Sequence, residues 1–240
     1  MDQVEQSVKK DPRPIIQAIK GLVLRGSADV IVRRGEPSMM VVADKPEDVI
    51  TEVRNGRLII STKPVVILGN GFTVGSGKGG IRIGCMMGGS VTINHGHISN
   101  VTDGAVMVCG QHVTVEITLP DLPAASIEGS GNMSLEDLNQ DELELEITGS
   151  GAIRATGQVK SLRAAISGSG DIKARDLVAS FAELRISGSG GIKAQVTQSL
   201  LARVTGSGDI RVWGEPAKRD TRVTGSGDIR FKQARSNGKD

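Results

Sequence analysis

Asp209 and Asp228 hold equivalent places in successive copies of one motif, Gly-Ser-Gly-Asp-Ile. Should the copies stack, their carboxylates stand roughly 5 Å apart, the separation at which a retaining glycosidase sets its acid and its nucleophile. Two solvated carboxylates on a stacked surface fit that spacing equally well. Sugar-cleaving sites lean on aromatic platforms, and this chain has one tryptophan, three phenylalanines and no tyrosine. His95, His97, Cys109 and His112 form a loose set of metal-ligating types. His95 and His97 would share one face of a strand, but no recognised zinc spacing follows, so surface or packed histidines are the expectation. Gly75-Ser76-Gly77-Lys78-Gly79-Gly80 has the glycine density of a phosphate loop without its Lys-Ser/Thr ending or a following helix, and reads as a turn. The Gly-Ser-Gly-Asp frames outwardly match calcium-binding β-roll repeats, but their period differs. No nucleophile, base and orienting group converge, so neither catalysis nor a metal nor a cofactor is expected.

Charge is arranged more regularly than reactive chemistry. Arg154, Lys173, Lys193, Arg211 and Arg230 each fall just after a Gly-Ser-Gly corner, which predicts a basic ladder along one face. Asp171, Asp209 and Asp228, two residues earlier on that face, temper the repulsion between rungs. Such a ladder either docks onto a protein or an anionic polymer surface, or is a solvated face that resists aggregation. Trp213 follows an inward Val212 and so projects outward beside Gly214 and Pro216. An outward tryptophan needs cover, from a loop or from another subunit. These five cations and Trp213 make up the expected partner-binding surface.

The elements that must carry this surface are announced by the repeat. Gly-Ser-Gly frames begin at Gly129, Gly149, Gly168, Gly188, Gly206 and Gly225, steps of 20, 19, 20, 18 and 19 residues, within the range of solenoid repeats. Glycine suits a corner that asks for positive φ or close backbone approach. Beyond each corner the alternation has period two: Ile172 and Ala174, Ile192 and Ala194, Ile210 and Val212, and Ile229 and Phe231 point one way, the cations the other. A second apolar strand precedes each corner, as in Leu143 to Ile147, Leu162 to Ile166, Leu184 to Ile186 and Leu200 to Val204. One unit cannot close a core alone, whereas stacked units bury a continuous aliphatic column. The expectation is an all-β chain whose residues 126–235 form a parallel β-solenoid of six repeats, two short strands to a repeat, followed by a polar tail at 236–240.

Before the repeats the pattern is less regular. Residues 1–20 form an N-terminal segment in which Val4 and Val8, four apart, suggest a short helix over 2–10, closed by Pro12 and Pro14. Residues 21–125 read as a β-rich part, with a hairpin within Thr51 to Arg57 around Asn55-Gly56. A glycine-dense insert occupies about 63–111.

Several blocks together resemble the GIN domain, the autotransporter adhesin head family. They are the repeated Ile/Val-Ser/Thr-Gly-Ser-Gly-Asp-Ile, the run Val115-Glu116-Ile117-Thr118-Leu119-Pro120-Asp121-Leu122, the earlier Asn55-Gly56-Arg57-Leu58-Ile59-Ile60, and Trp213-Gly214-Glu215-Pro216. The resemblance covers about residues 20 to 233. It implies a right-handed β-helix and a surface-adhesion role, and it brings no catalytic residues to transfer.

Composition bounds the partners. A net charge of +2 with 2% aromatic residues is unlike a dedicated nucleic-acid binder, which shows a basic stripe with interleaved aromatics. No apolar run approaches membrane-spanning length, so membrane insertion is not expected. Lys9, Lys10, Asp11 and Pro12 interrupt the place of a secretory h-region, so the chain is either exported with its leader removed or made in the cytoplasm, as virion components are. Cys85 and Cys109 would pair only after export, and two free thiols are the expectation. The functional expectation is a non-catalytic binding or adhesion module; the alternative is a self-associating structural protein of a virion or appendage. Open solenoid ends pair with other chains, so homo-oligomers follow if the N-terminal region and the charged Lys232 to Asp240 fail to cover them.

Overall fold

The computed structural model describes residues 8–15, 18–43, 45–62 and 113–233, and five strands within 63–112. The chain divides into two compact units, residues 63–112 and all the rest. In the larger unit the first strands are β1 (Lys9–Arg13), β2 (Gly21–Gly26), β3 (Asp29–Arg34), β4 (Ser38–Ala43), β5 (Val49–Arg54) and β6 (Arg57–Thr62). The smaller unit holds β7 (Val66–Ile67), β8 (Ile83–Met87), β9 (Val91–Asn94), β10 (His97–Val101) and β11 (Val106–Cys109), with β9 antiparallel to β10, and β11 antiparallel to both β7 and β8. The chain returns through β12 (Val113–Leu119) and β13 (Ala124–Gly129) to the long strands β14 (Asn132–Gly149), β15 (Ala152–Gly168), β16 (Asp171–Gly188) and β17 (Gly191–Gly206). It finishes with β18 (Asp209–Trp213), β19 (Lys218–Gly225) and β20 (Asp228–Lys232).

The result is a parallel β-solenoid. Gly129, Gly149, Gly168, Gly188, Gly206 and Gly225 stack in direct register, one per coil. Each has φ between 115° and 142°, a region in which a Cβ is strained. The serine between the glycines is exposed, and what holds the corners together is backbone: Ser150, Ser169, Ser189 and Ser207 N–H groups donate to the carbonyls of Gly129, Gly149, Gly168 and Gly188 at 2.9 Å.

The stack has one member more than the repeat count. Gly26-Ser27-Ala28 forms a seventh corner, with Gly26 paired to Gly129 and Asp29 to Asn132. Residues 21–34 are therefore the first coil, about a hundred residues ahead of the coil they pair with, and the change at 126 from an irregular β region to a solenoid does not separate two bodies. Alanine is tolerated at its third position because that residue begins the stack, whereas a Cβ on any of the glycines that follow would clash with the carbonyl of the preceding corner.

Inside the corners the aliphatic columns are continuous. Val30, Met133, Ile153, Ile172, Ile192 and Ile210 form one, all at most 2% exposed. A second runs Leu22, Ala125, Leu145, Ala164, Leu184, Ala202, large and small in strict alternation. The alternation keeps the volume filled by neighbouring coils even along this column. No polar or charged side chain is buried among the described residues.

Three expectations are corrected. The two short strands of each repeat are one long strand in β14 to β17, which turns through a second bend marked by register shifts and, where φ is positive, by Asp137 (φ 55°) and Gly157 (φ 117°). The six-repeat count becomes seven corners. The short helix expected over 2–10 meets a strand: Lys9–Arg13 pairs antiparallel with β4, Pro12 opposite Met40, on an edge where the missing proline N–H costs nothing; residues 2–7 lie outside the described residues. The hairpin of β5 and β6 turns at Asn55 (φ 53°) and Gly56 (φ 75°), the left-handed pair that a tight two-residue turn requires.

The two ends of the column differ. Beyond the first coil, β6 adds parallel to β2 and β12 parallel to β3, after which β5, β4 and β1 run antiparallel and end the repeat. At the other end β19 and β20 each pair with one neighbour, β17 and β18.

Candidate functional site

The basic ladder is one unbroken register: Arg154 pairs Lys173, Lys173 pairs Lys193, Lys193 pairs Arg211 and Arg211 pairs Arg230. Inward neighbours Ile153, Ile172, Ile192 and Ile210 fix the parity, so all five cations face outward, on one strand of successive coils. At a ladder spacing of about 4.8 Å they span roughly 19 Å.

The rungs are unequal. Arg154 Nη2 reaches Asp176 Oδ2 at 3.1 Å, Arg211 Nη2 lies 3.9 Å from Asp209 Oδ2, and Arg230 Nε donates to Asp228 Oδ2 at 2.7 Å. Lys173 and Lys193 have no carboxylate within 4.0 Å among the described residues, so the middle of the ladder presents unpaired ammonium groups. Asp209 and Asp228 do pair in register. Arg230's hydrogen bond holds the Asp228 carboxyl below the ordinary carboxylate range, aided by the Ile229 backbone N–H and opposed by desolvation. A retaining glycosidase needs one carboxyl pushed upward to serve as acid, and at Asp228 the displacement is downward.

Trp213 is half-buried at the edge of this face. Arg175 lies against it, its guanidinium 4.8 Å from the ring centroid. Sequence reasoning passed over Arg175; its signal was the outward parity of Lys173 two residues earlier. Gln195, Trp213 and Lys232 stand in register beside the cation ladder, giving the face a second outward column. Because Trp213 is the single tryptophan, its emission reports on this contact alone. Arg175→Ala is expected to shift that emission to the red while changing stability by no more than about 1 kcal/mol; an unmoved spectrum would place the guanidinium elsewhere.

A groove lined by Arg57, Ser126, Glu144 and Glu146 holds about 20 Å³, room for one water. Among the described residues no group of three or more His, Cys, Asp or Glu is placed to share a metal ion, and no helix is long and apolar enough to cross a membrane. The side chains of His95, His97, His112, Cys85 and Cys109, and the whole Gly75 to Gly80 run, lie outside the described residues.

Comparison with known proteins agrees with the fold. The chain is similar to the crystal structure of a "putative adhesin" from Bacteroides fragilis NCTC 9343, at 17% identity and TM-score 0.57, covering 95% of this chain and 98% of that one. It is also similar to a "putative lipid binding protein" from Parabacteroides distasonis ATCC 8503, at 20% identity and TM-score 0.51, with 95% and 98% covered. No curated relative matches the chain. The model of the family described as "Putative auto-transporter adhesin, head GIN domain" matches residues 19–216, from the first coil to the Trp213-Gly214-Glu215-Pro216 turn, and the chain belongs to that family.

Proposed function

We propose that this chain is a non-catalytic adhesion module that presents one outward face of a rigid solenoid to an anionic partner. The family supports adhesion, and the observation that carries the rest is the register from Arg154 to Arg230 with Lys173 and Lys193 unpaired at its centre. Cations at a fixed repeat along a stiff scaffold suit a partner that is itself repetitive and negatively charged. The backbone register sets the spacing of the array in advance, so the ordering cost of docking falls on the exposed side chains and not on the chain that carries them. Its strength falls with salt, because exposed charges are screened over about 8–10 Å at ordinary ionic strength.

Retention on an anionic matrix tests the reading. Wild-type chain is expected to elute at higher salt than Lys173→Glu/Lys193→Glu/Arg211→Glu, with affinity for a polyanion in solution reduced about tenfold or more. Reversing Arg163, Arg185 and Arg222, on the strands that precede the corners, serves as the equal-charge control and is expected to weaken binding less. Equal losses in the two triple variants would reduce the effect to net charge and end the proposal.

A further inference from the structure

We infer that the C-terminal end of the solenoid docks against the same end of a second copy, β19 pairing antiparallel with its mate to close a two-fold dimer. Each coil buries the one before it: Val204 and Val212 are 1% and 0% exposed beneath Val223 and Phe231. Val223 and Phe231 occupy the same inward positions and are themselves 40% and 37% exposed. Nothing among the described residues covers them except the Arg219 guanidinium, 4.5 Å from the Phe231 centroid and tethered to the Pro216 carbonyl at 3.0 Å. Every residue of β19 is exposed, and among the described residues no strand pairs with its outer edge. A row of free N–H and C=O groups next to uncovered apolar side chains is a template for another strand.

The end itself selects the occupant. A head-to-tail stack would require the N-terminal end to offer a matching parallel edge, yet that end finishes in reversed strands, with Pro12 and the charges of Lys9, Lys10 and Arg13 on the edge strand β1. The C-terminal end matches itself. Residues opposite one another in an antiparallel pair share a face, so a two-fold axis through β19 must pass at a residue. Centred on Asp220 or Arg222 it sets like charges face to face. Centred on Thr221 it sets Asp220 opposite Arg222 on both sides, Arg219 opposite Val223, and Lys218 opposite Thr224, with no like charges directly opposed. Asp220 already holds Arg203 of its own chain in a two-pronged contact at 2.7 and 2.8 Å, which ties β19 to β17.

Sedimentation equilibrium of the full chain over a range of concentrations tests this. A monomer–dimer equilibrium is expected, with the dissociation constant raised at least about tenfold by Val223→Lys, which places a cation opposite Arg219 of the mate. Val223 also covers Val204, so the variant's melting temperature, taken at a concentration where the wild type is monomeric, separates lost folding from lost pairing. Thr221→Cys, in a background of Cys85→Ser and Cys109→Ser, is expected to oxidise to a covalent dimer. A chain that stays monomeric at every concentration, a series of ever larger species, or a dimer indifferent to Val223→Lys and not cross-linked through position 221 would each overturn the inference.

Discussion

Ile172→Asp is expected to abolish cooperative unfolding altogether, the chain showing no thermal transition by circular dichroism. Ile172 is fully buried between Ile153 and Ile192, and no polar group lies inside the column to receive a carboxylate. A charge there is either desolvated without a partner or drives the coil open, and the cost exceeds about 4 kcal/mol, a large part of the stability of an ordinary domain. The neighbouring residue supplies the control. Lys173→Asp introduces the same side chain one position along, on the solvent side, and is expected to stay within about 0.5 kcal/mol of wild type. An unchanged melting temperature for Ile172→Asp would mean that the parity of β16 is reversed.

The second large effect comes from removing space instead of adding charge. A Cβ at Gly170 would sit 2.6 Å from the Gly151 carbonyl oxygen and 2.6 Å from Ile147 Cγ2. The carbonyl cannot retreat, since it accepts the Asp171 N–H at 3.1 Å and so belongs to the bonding that joins coil to coil. Gly170→Ala is therefore expected to destabilise by about 1–3 kcal/mol through overpacking, although its φ is not in the left-handed region. Ser169→Ala, one residue away, leaves the backbone bond to Gly149 intact and removes an exposed hydroxyl, so a change under about 0.5 kcal/mol is expected. Chemical denaturation of both variants decides the matter: if Gly170→Ala proves as mild as Ser169→Ala, the coils are not in van der Waals contact at this corner.

The sequence revealed most where the physics is periodic. The spacing of Gly129 to Gly225 and the two-residue alternation around Ile172, Ile192 and Ile210 determine corner, face and core together, because a one-residue slip would expose every aliphatic side chain. Ladder order follows from the same arithmetic, which places Arg154, Lys173, Lys193, Arg211 and Arg230 on one face from their spacing alone. What escaped lacks a period. Gly26-Ser27-Ala28 carries one glycine fewer and stands about a hundred residues from its neighbour in space, so no local pattern ties it to Gly129. The second bend uses Asp137 in one coil and Gly157 in the next, two residue types that share only tolerance of positive φ. Arg175 over Trp213 joins two coils with another between them, a contact set by side-chain reach and not by spacing.

The detached first coil governs the order in which the molecule can be assembled. Coils from Gly129 onward each find their mate about 19 residues away, and such nearby partners zip quickly. Residues 21–25 pair with 57–61 of β6, but this first coil joins the column only through β13 and β14, made about a hundred residues later, with Arg25 meeting Glu128 and Arg33 meeting Glu136 across that gap. Closing so long a tether costs little more than closing a short one, since doubling its length adds only about 0.6 kcal/mol. Residues 63–112, which form their own compact unit, can thus lengthen or shorten at little entropic cost to the rod, and the N-terminal turn is the last to join it and the first to leave.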